Sequence, residues 1–172
     1  MTTRKILYGL SALVAVVGVA FVLVVGKAIL DAPEESPRVS AYADGRYEEV
    51  EPFRYCPVQE PLCDYEGTTA TMPVRDGHPL QLSLPGAISE NPWGFASVYG
   101  DPESGDVVEA DQYFAPGTRN TLTVPPVNED GLVLIGIEVR LPSGVIDVDT
   151  DQEEIVSHAI WSIATTEADD AE

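Results

Sequence analysis

Residues 132–141 read LVLIGIEVRL. In an extended chain Ile135, Ile137, Val139 and Leu141 fall on one face, and Gly136, Glu138 and Arg140 on the other. A period of two predicts a strand with one buried face, and this is the strongest such signal in the sequence. Its neighbours follow suit. Leu80, Leu82 and Leu84 alternate with Gln81 and Ser83, and WGFASVY (93–99), 107–114 and 120–124 are rich in β-compatible residues. Residues 155–164 are almost continuously apolar, which predicts a central strand that also closes the domain.

Upstream, 38–43 and 46–55 flank Asp44-Gly45, a hairpin signal because the tight turn needs residues that tolerate positive φ. A threonine-rich run over 68–72 adds another strand, and 87–90 fits a single helical turn. Asp76-Gly77, Gly100-Asp101-Pro102 and Pro116-Gly117 mark turns, and Pro125-Pro126 stops the strand before it. Eight or nine short strands at such intervals make the chain mainly β. They predict an immunoglobulin-like or fibronectin-like β-sandwich over 38–164, with Trp93 and Trp161 in its core. An acidic tail, 165–172, is expected to be disordered.

Outside this domain lies ILYGLSALVAVVGVAFVLVVG, residues 6–26, with no charge in 21 residues. As a helix it would reach about 31 Å, the hydrocarbon thickness of a bilayer. A cleaved signal peptide would have a shorter apolar core ending at small residues, whereas this run exits through Lys27-Ala28-Ile29-Leu30-Asp31. A transmembrane helix is therefore expected at 6–26. Arg4 and Lys5 hold residues 1–5 in the cytoplasm, and 27–37, acidic with Pro33 and Pro37, serve as a linker to an extracytoplasmic domain.

All 29 acidic residues lie beyond residue 27, against six arginines, a formal charge of −23 on the last 145 residues. Such a surface repels phosphate backbones and excludes nucleic acid as a partner. Cys56 and Cys63 are the only cysteines, and outside the membrane they are expected to form a disulfide. So small a loop contributes about 2.5 kcal/mol on the chain-entropy model, a local staple.

Signals for chemistry are few. His78, between a turn glycine and Pro79, reads as an exposed loop residue, and His158 as a hydrogen-bonded histidine within the last strand. The sequence holds no G-x-S-x-G, H-E-x-x-H or G-x-x-x-x-G-K-[ST] motif. An enzyme is not expected, nor is a cofactor. The run DVDTDQEE (147–154) places Asp147, Asp149 and Asp151 at alternate positions, a possible set of oxygen ligands for calcium. It departs from the EF-hand pattern, with Gln152 where glycine belongs and His158 where glutamate is required. A solvated acidic loop between two strands is the plainer expectation. APGTR (115–119) reads as a shaped turn presenting Arg119, expected to pair with a carboxylate.

VSAYADGR (39–46), RYC (54–56), PWGFASVYGD (92–101), FAPGTRNTLTVPP (114–126), GIEVRLPSGVID (136–147) and AIWSI (159–163) together resemble an actinobacterial envelope-protein family known only as a domain of unknown function. The resemblance covers nearly the whole chain and brings no catalytic residues. It implies one N-terminal anchor, a β-rich extracytoplasmic domain with a cysteine pair, and a corynebacterial or mycobacterial type of source. It also implies an accessory role in a large envelope complex, such as the actinobacterial respiratory supercomplex. The resulting expectation is a membrane-anchored accessory or scaffolding protein. It would bind another membrane or cell-envelope protein and contact the lipid bilayer through its N-terminal helix. The alternative is a module for calcium or a cationic envelope molecule at 147–154.

Overall fold

The computed structural model describes residues 16–27, 36–65, 67–147 and 152–166, with the backbone alone for 145–147 and 152–153. It divides into two compact units, residues 1–35 and 36–172. In the first, residues 16–27 form helix α1, about 18 Å long at 1.5 Å per residue. Among the described residues no helix is long and apolar enough to cross a membrane; residues 6–15 of the expected span lie outside them.

The second unit is a sandwich of two sheets. Ten strands are described: β1 Val39–Ala43, β2 Arg46–Val50, β3 Arg54–Tyr55, β4 Ala70–Thr71, β5 Leu80–Ser83, β6 Trp93–Gly100, β7 Val107–Phe114, β8 Thr121–Val124, β9 Val133–Asp147 and β10 Gln152–Ala164. One sheet has the order β2-β1-β5-β8, and the other β3-β10-β9-β6-β7 with β4 also on β10. Every pairing is antiparallel except that of β4 with β10. A short helix, α2 Gly86–Ser89, joins β5 to β6, where a single turn was expected at 87–90.

Alternation decides what lies between the sheets. Ala41, Leu82 and Leu122 project inward from one, and Phe95, Val139 and Trp161 from the other, all buried. Trp93 and Trp161 are 1% and 0% exposed, as expected of core residues. Asp44 (φ 49°) and Gly45 (φ 79°) both adopt positive φ between β1 and β2, the geometry that the Asp-Gly signal called for.

Three expectations need correction. Residues 46–55 are two strands, because Pro52 lacks the donor a ladder needs and the chain leaves one sheet for the other between Val50 and Arg54. The 68–72 strand shrinks to Ala70–Thr71. The strand beginning near 132 does not stop at Leu141 but runs to Asp147, through Pro142. Pro142 pairs with Ser157 beside a register shift between Ser157 and Ala159, a bulge at His158 where the ladder is already broken. β10 correspondingly begins at Gln152, so Asp147 and 152–154 at the two ends of the acidic run belong to paired strands, while 148–151 lie outside the described residues.

Candidate functional site

Cys56 and Cys63 form the expected disulfide, with Cα atoms 5.7 Å apart. The closed loop is tied to the β9–β10 hairpin by His158. The Cys56 amide donates to the His158 carbonyl at 2.9 Å, and His158 Nδ1 donates to the Cys56 carbonyl at 2.9 Å. Ser143 Oγ adds a bond to the Val58 carbonyl at 3.2 Å. His158 is thus committed to holding a loop, in line with its sequence reading. His78 is exposed and lies 3.6 Å from Asp44, which also pairs with Arg75.

Asp149 and Asp151 lie outside the described residues, as does the side chain of Asp147. The backbone of Asp147 pairs with Gln152, and 148–151 between them lie outside the described residues. Among the described residues no group of three or more His, Cys, Asp or Glu could hold a metal ion. Arg119 differs from expectation. Its guanidinium lies 5.4 Å from the centroid of the Phe114 ring, a cation–π contact, and among the described residues it has no carboxylate partner.

Arg119 lines a groove of about 600 Å³ along one side of the sandwich. Its origin is a mismatch between the sheets. β7 continues one sheet beyond the point where the other ends at β8. Val108, Ala110 and Gln112 of β7 pair with the inward-facing Tyr99, Ser97 and Phe95 of β6 and so point toward the absent layer, yet all three are exposed. The groove floor holds Phe95, Ser97 and Tyr99, and Thr121–Val124 form its wall. Tyr99 donates its hydroxyl to the Pro125 carbonyl at 3.0 Å, and burial pushes its ionisation above the usual tyrosine range. At the other end Phe114 stacks on Trp93, ring centroids 4.3 Å apart, beneath Arg119.

The opposite, outer face of β7 carries a charge cluster. Arg140 reaches Glu138 at 2.7 Å, Glu109 at 2.9 Å and Asp111 at 3.3 Å. Burial works to lower its basicity, but the hydrogen bonds to Glu138 and Glu109 outweigh that and raise it further. Three carboxylates on one cation make this a brace across β7 and β9, in which the guanidinium is fully engaged and the cluster is net negative. The turn after β6 is organised by Asp101, which accepts from the Glu103 and Ser104 amides at 2.7 and 3.3 Å. Those bonds hold its carboxyl below the usual range.

Against known proteins, the model of the family described as protein of unknown function (DUF2771) matches residues 32–166. The chain belongs to this family. The matched residues include every described strand of the sandwich. Uncharacterised protein Rv0875c of Mycobacterium tuberculosis is 35% identical over 130 residues, covering 75% of this chain and 77% of its own. Uncharacterised protein Mb0899c of Mycobacterium bovis matches with the same identity and coverage. No solved structure matches. These relatives make the DUF2771 chain one of an actinobacterial family, as its motifs implied. The groove itself escaped the sequence reading. TLTV (121–124) alternates like any half-buried strand, and only the strand order reveals that it ends a sheet.

Proposed function

We propose that this DUF2771 chain is a membrane-anchored, extracytoplasmic accessory or scaffolding protein that binds another membrane or cell-envelope component. The observation that carries this reading is the surface of α1. Val16, Val17, Val19, Phe21, Val22, Leu23 and Val24 are each 59–68% exposed, and together they go all the way round the helix. Leaving such side chains in water forgoes roughly 1.5–3 kcal/mol apiece, so the helix calls for an apolar medium on every side. A bilayer supplies that medium, with 6–26 as the full span, the N-terminus cytoplasmic and the acidic, disulfide-bonded sandwich outside.

The strand order supports the finer fold reading. β1, β5 and β8 take the places of strands A, B and E of an immunoglobulin-like or fibronectin-like sandwich, and β6, β9 and β10 those of C, F and G. Such domains commonly serve recognition through their edges and loops. Respiratory-chain subunits are one partner set the family resemblance brings forward.

The test is co-purification of the full chain, tagged at its C-terminus, from gently solubilised native membranes, with protease added to intact spheroplasts as the check on topology. A stoichiometric membrane or envelope partner and a protease-accessible sandwich are expected. Recovery of the bare monomer, or a protected sandwich, would sink the proposal. Calcium titration of the same preparation addresses the 147–154 alternative: heat that disappears in Asp149→Asn would favour a ligand module instead.

A further inference from the structure

From the edge of β8 we infer that this sandwich receives an extended segment of a partner protein as an additional strand. The inference rests on the partner-binding reading above and says where and how that partner is held. Among the described strands, four edges end the two sheets, and three of them are blunted. β2 carries Arg46, Glu48 and Glu49, β7 carries Glu109 and Asp111, and β3 and β4 are two residues each. Charge and shortness are the usual protections against strand addition. β8, reading TLTV, has no charge, no proline and no described bulge.

The hydrogen bonds show what β8 offers. Leu84 donates to the Asn120 carbonyl at 2.8 Å, next to the Ser83–Thr121 pair. Antiparallel pairs alternate, so Leu82–Leu122 and Leu80–Val124 are the bonded pairs, and Thr121 and Thr123 aim their N–H and C=O groups away from β5. Among the described residues no strand meets them on that side. The groove of about 600 Å³ lies there, and Gln112, one of the uncovered inner positions of β7, lines it. In the immunoglobulin-like scheme it is the place of strand D, beside strand E.

Charge gives the occupant its chemistry and direction. Arg119 stands at the Thr121 end of the groove. The Tyr99–Pro125 hydrogen bond marks the other end, from which two turns depart carrying Asp101, Glu103, Asp106, Glu129 and Asp130. An antiparallel segment would begin among those carboxylates and finish beside Arg119. It should carry Lys or Arg in its first half and small or apolar side chains at alternate positions. A second copy of this chain is disfavoured by the −23 formal charge each copy carries beyond the anchor.

The probe is a displayed library of nine-residue peptides, selected on the full chain in detergent micelles and measured by fluorescence anisotropy. Enriched peptides are expected to show the alternation and the N-terminal basic bias, and to bind Thr123→Pro about tenfold or more weakly, the loss of roughly one good hydrogen bond. That substitution removes only an outward donor, so the β5–β8 ladder remains. N-methylation of one alternating set of peptide amides should abolish binding while methylation of the other set leaves it, and this readout needs no variant. Failure to enrich any peptide would overturn the inference. So would equal binding to both proteins, equal effects of the two methylation sets, or dimerisation of the chain through β8 in place of peptide binding. The two readings fail separately: a stoichiometric native partner retained by folded Thr123→Pro removes strand addition and leaves the scaffold, whereas a wild-type chain without any partner removes the scaffold.

Discussion

The two sides of this sandwich are built to opposite specifications. On the side of β2 and β10 the sheets are joined by the chain itself, which passes from β2 to β3 within three residues, Glu51–Phe53. Trp161 fills the interior there, donates its Nε1 to the Pro37 carbonyl at 2.8 Å, and meets Tyr55 edge-on at 6.2 Å. Met72 and Val74 donate to the carbonyls of Ala164 and Thr165, and the disulfide loop is tied in by His158. On the side of β7 and β8 the sheets part around a groove, bridged at one end by the 115–120 turn and at the other by Tyr99. Trp93 sits toward this side, stacked on Phe114, with its Nε1 buried and without a hydrogen-bond partner among the described residues. The joined flank also carries a groove, of about 610 Å³ along Glu48–Glu51 and Thr68–Thr71, so the contrast teaches that the ties between the sheets, and not the closure of the surface, are concentrated on one flank.

The contrast can be broken by measuring what each side costs to damage. Trp161→Ala should be the most expensive change, about 3–5 kcal/mol, because it empties a fully buried site on the joined side. Urea unfolding of the full chain would measure it, and a cost near 1 kcal/mol would end the distinction. Replacing Cys56 and Cys63 together by serine should cost about 2.5 kcal/mol on the loop-entropy model, read as a lower unfolding midpoint under oxidising conditions. A change matching that of Trp161→Ala would mean that the loop, and not the packed flank, holds this side together.

Tyr99→Phe, on the open side, should cost only about 1 kcal/mol, the net worth of the hydroxyl bond to Pro125. Faster amide exchange at Val124 and Val127 would accompany it. Trp93→Phe and Trp161→Phe should both carry a cavity cost, with Trp93→Phe the cheaper of the two by about 1 kcal/mol, because its indole N–H has no partner to lose whereas that of Trp161 forfeits a bond. The two tryptophan-to-phenylalanine changes therefore form an internal comparison, and Trp93→Phe costing as much as Trp161→Phe would show that the open side is as tightly specified as the other.

Which elements could be read in advance follows from where their information resides. β5, β6 and β9 carry their own alternation, and the β1–β2 turn carries its own Asp-Gly, so residues 80–84, 93–99, 132–141 and 44–45 announce themselves. The inward place expected of Ile135, however, is taken by Leu134 across a register shift opposite Val98 and Tyr99. β3 and β4 carry nothing comparable, because two residues have no period. They are strands only because Ile160 and Ile163 of β10 stand opposite Arg54 and Ala70. A proline at 142 would ordinarily end a ladder, and the bulge at His158, fixed by its two hydrogen bonds with Cys56, lets the strand continue past it. The groove is a property of strand order. Leu80, Leu82, Leu122 and Val124 give both β5 and β8 an inward face, and nothing in either strand tells which one will be the outermost.

The position of β10 has a consequence in time. It follows every other described strand in the chain, yet β3, β4 and β9 all pair with it and its Trp161 plugs the interior. Until residue 164 has been delivered, β3 and β4 have no sheet to join and β9 lacks one neighbour. The nascent chain must therefore wait, with its partial sheets incomplete, for the final dozen residues of the domain before the fold can close. A ribosome stalled or a chain truncated just short of Trp161 would display an unfinished protein, however much of the sequence had already appeared.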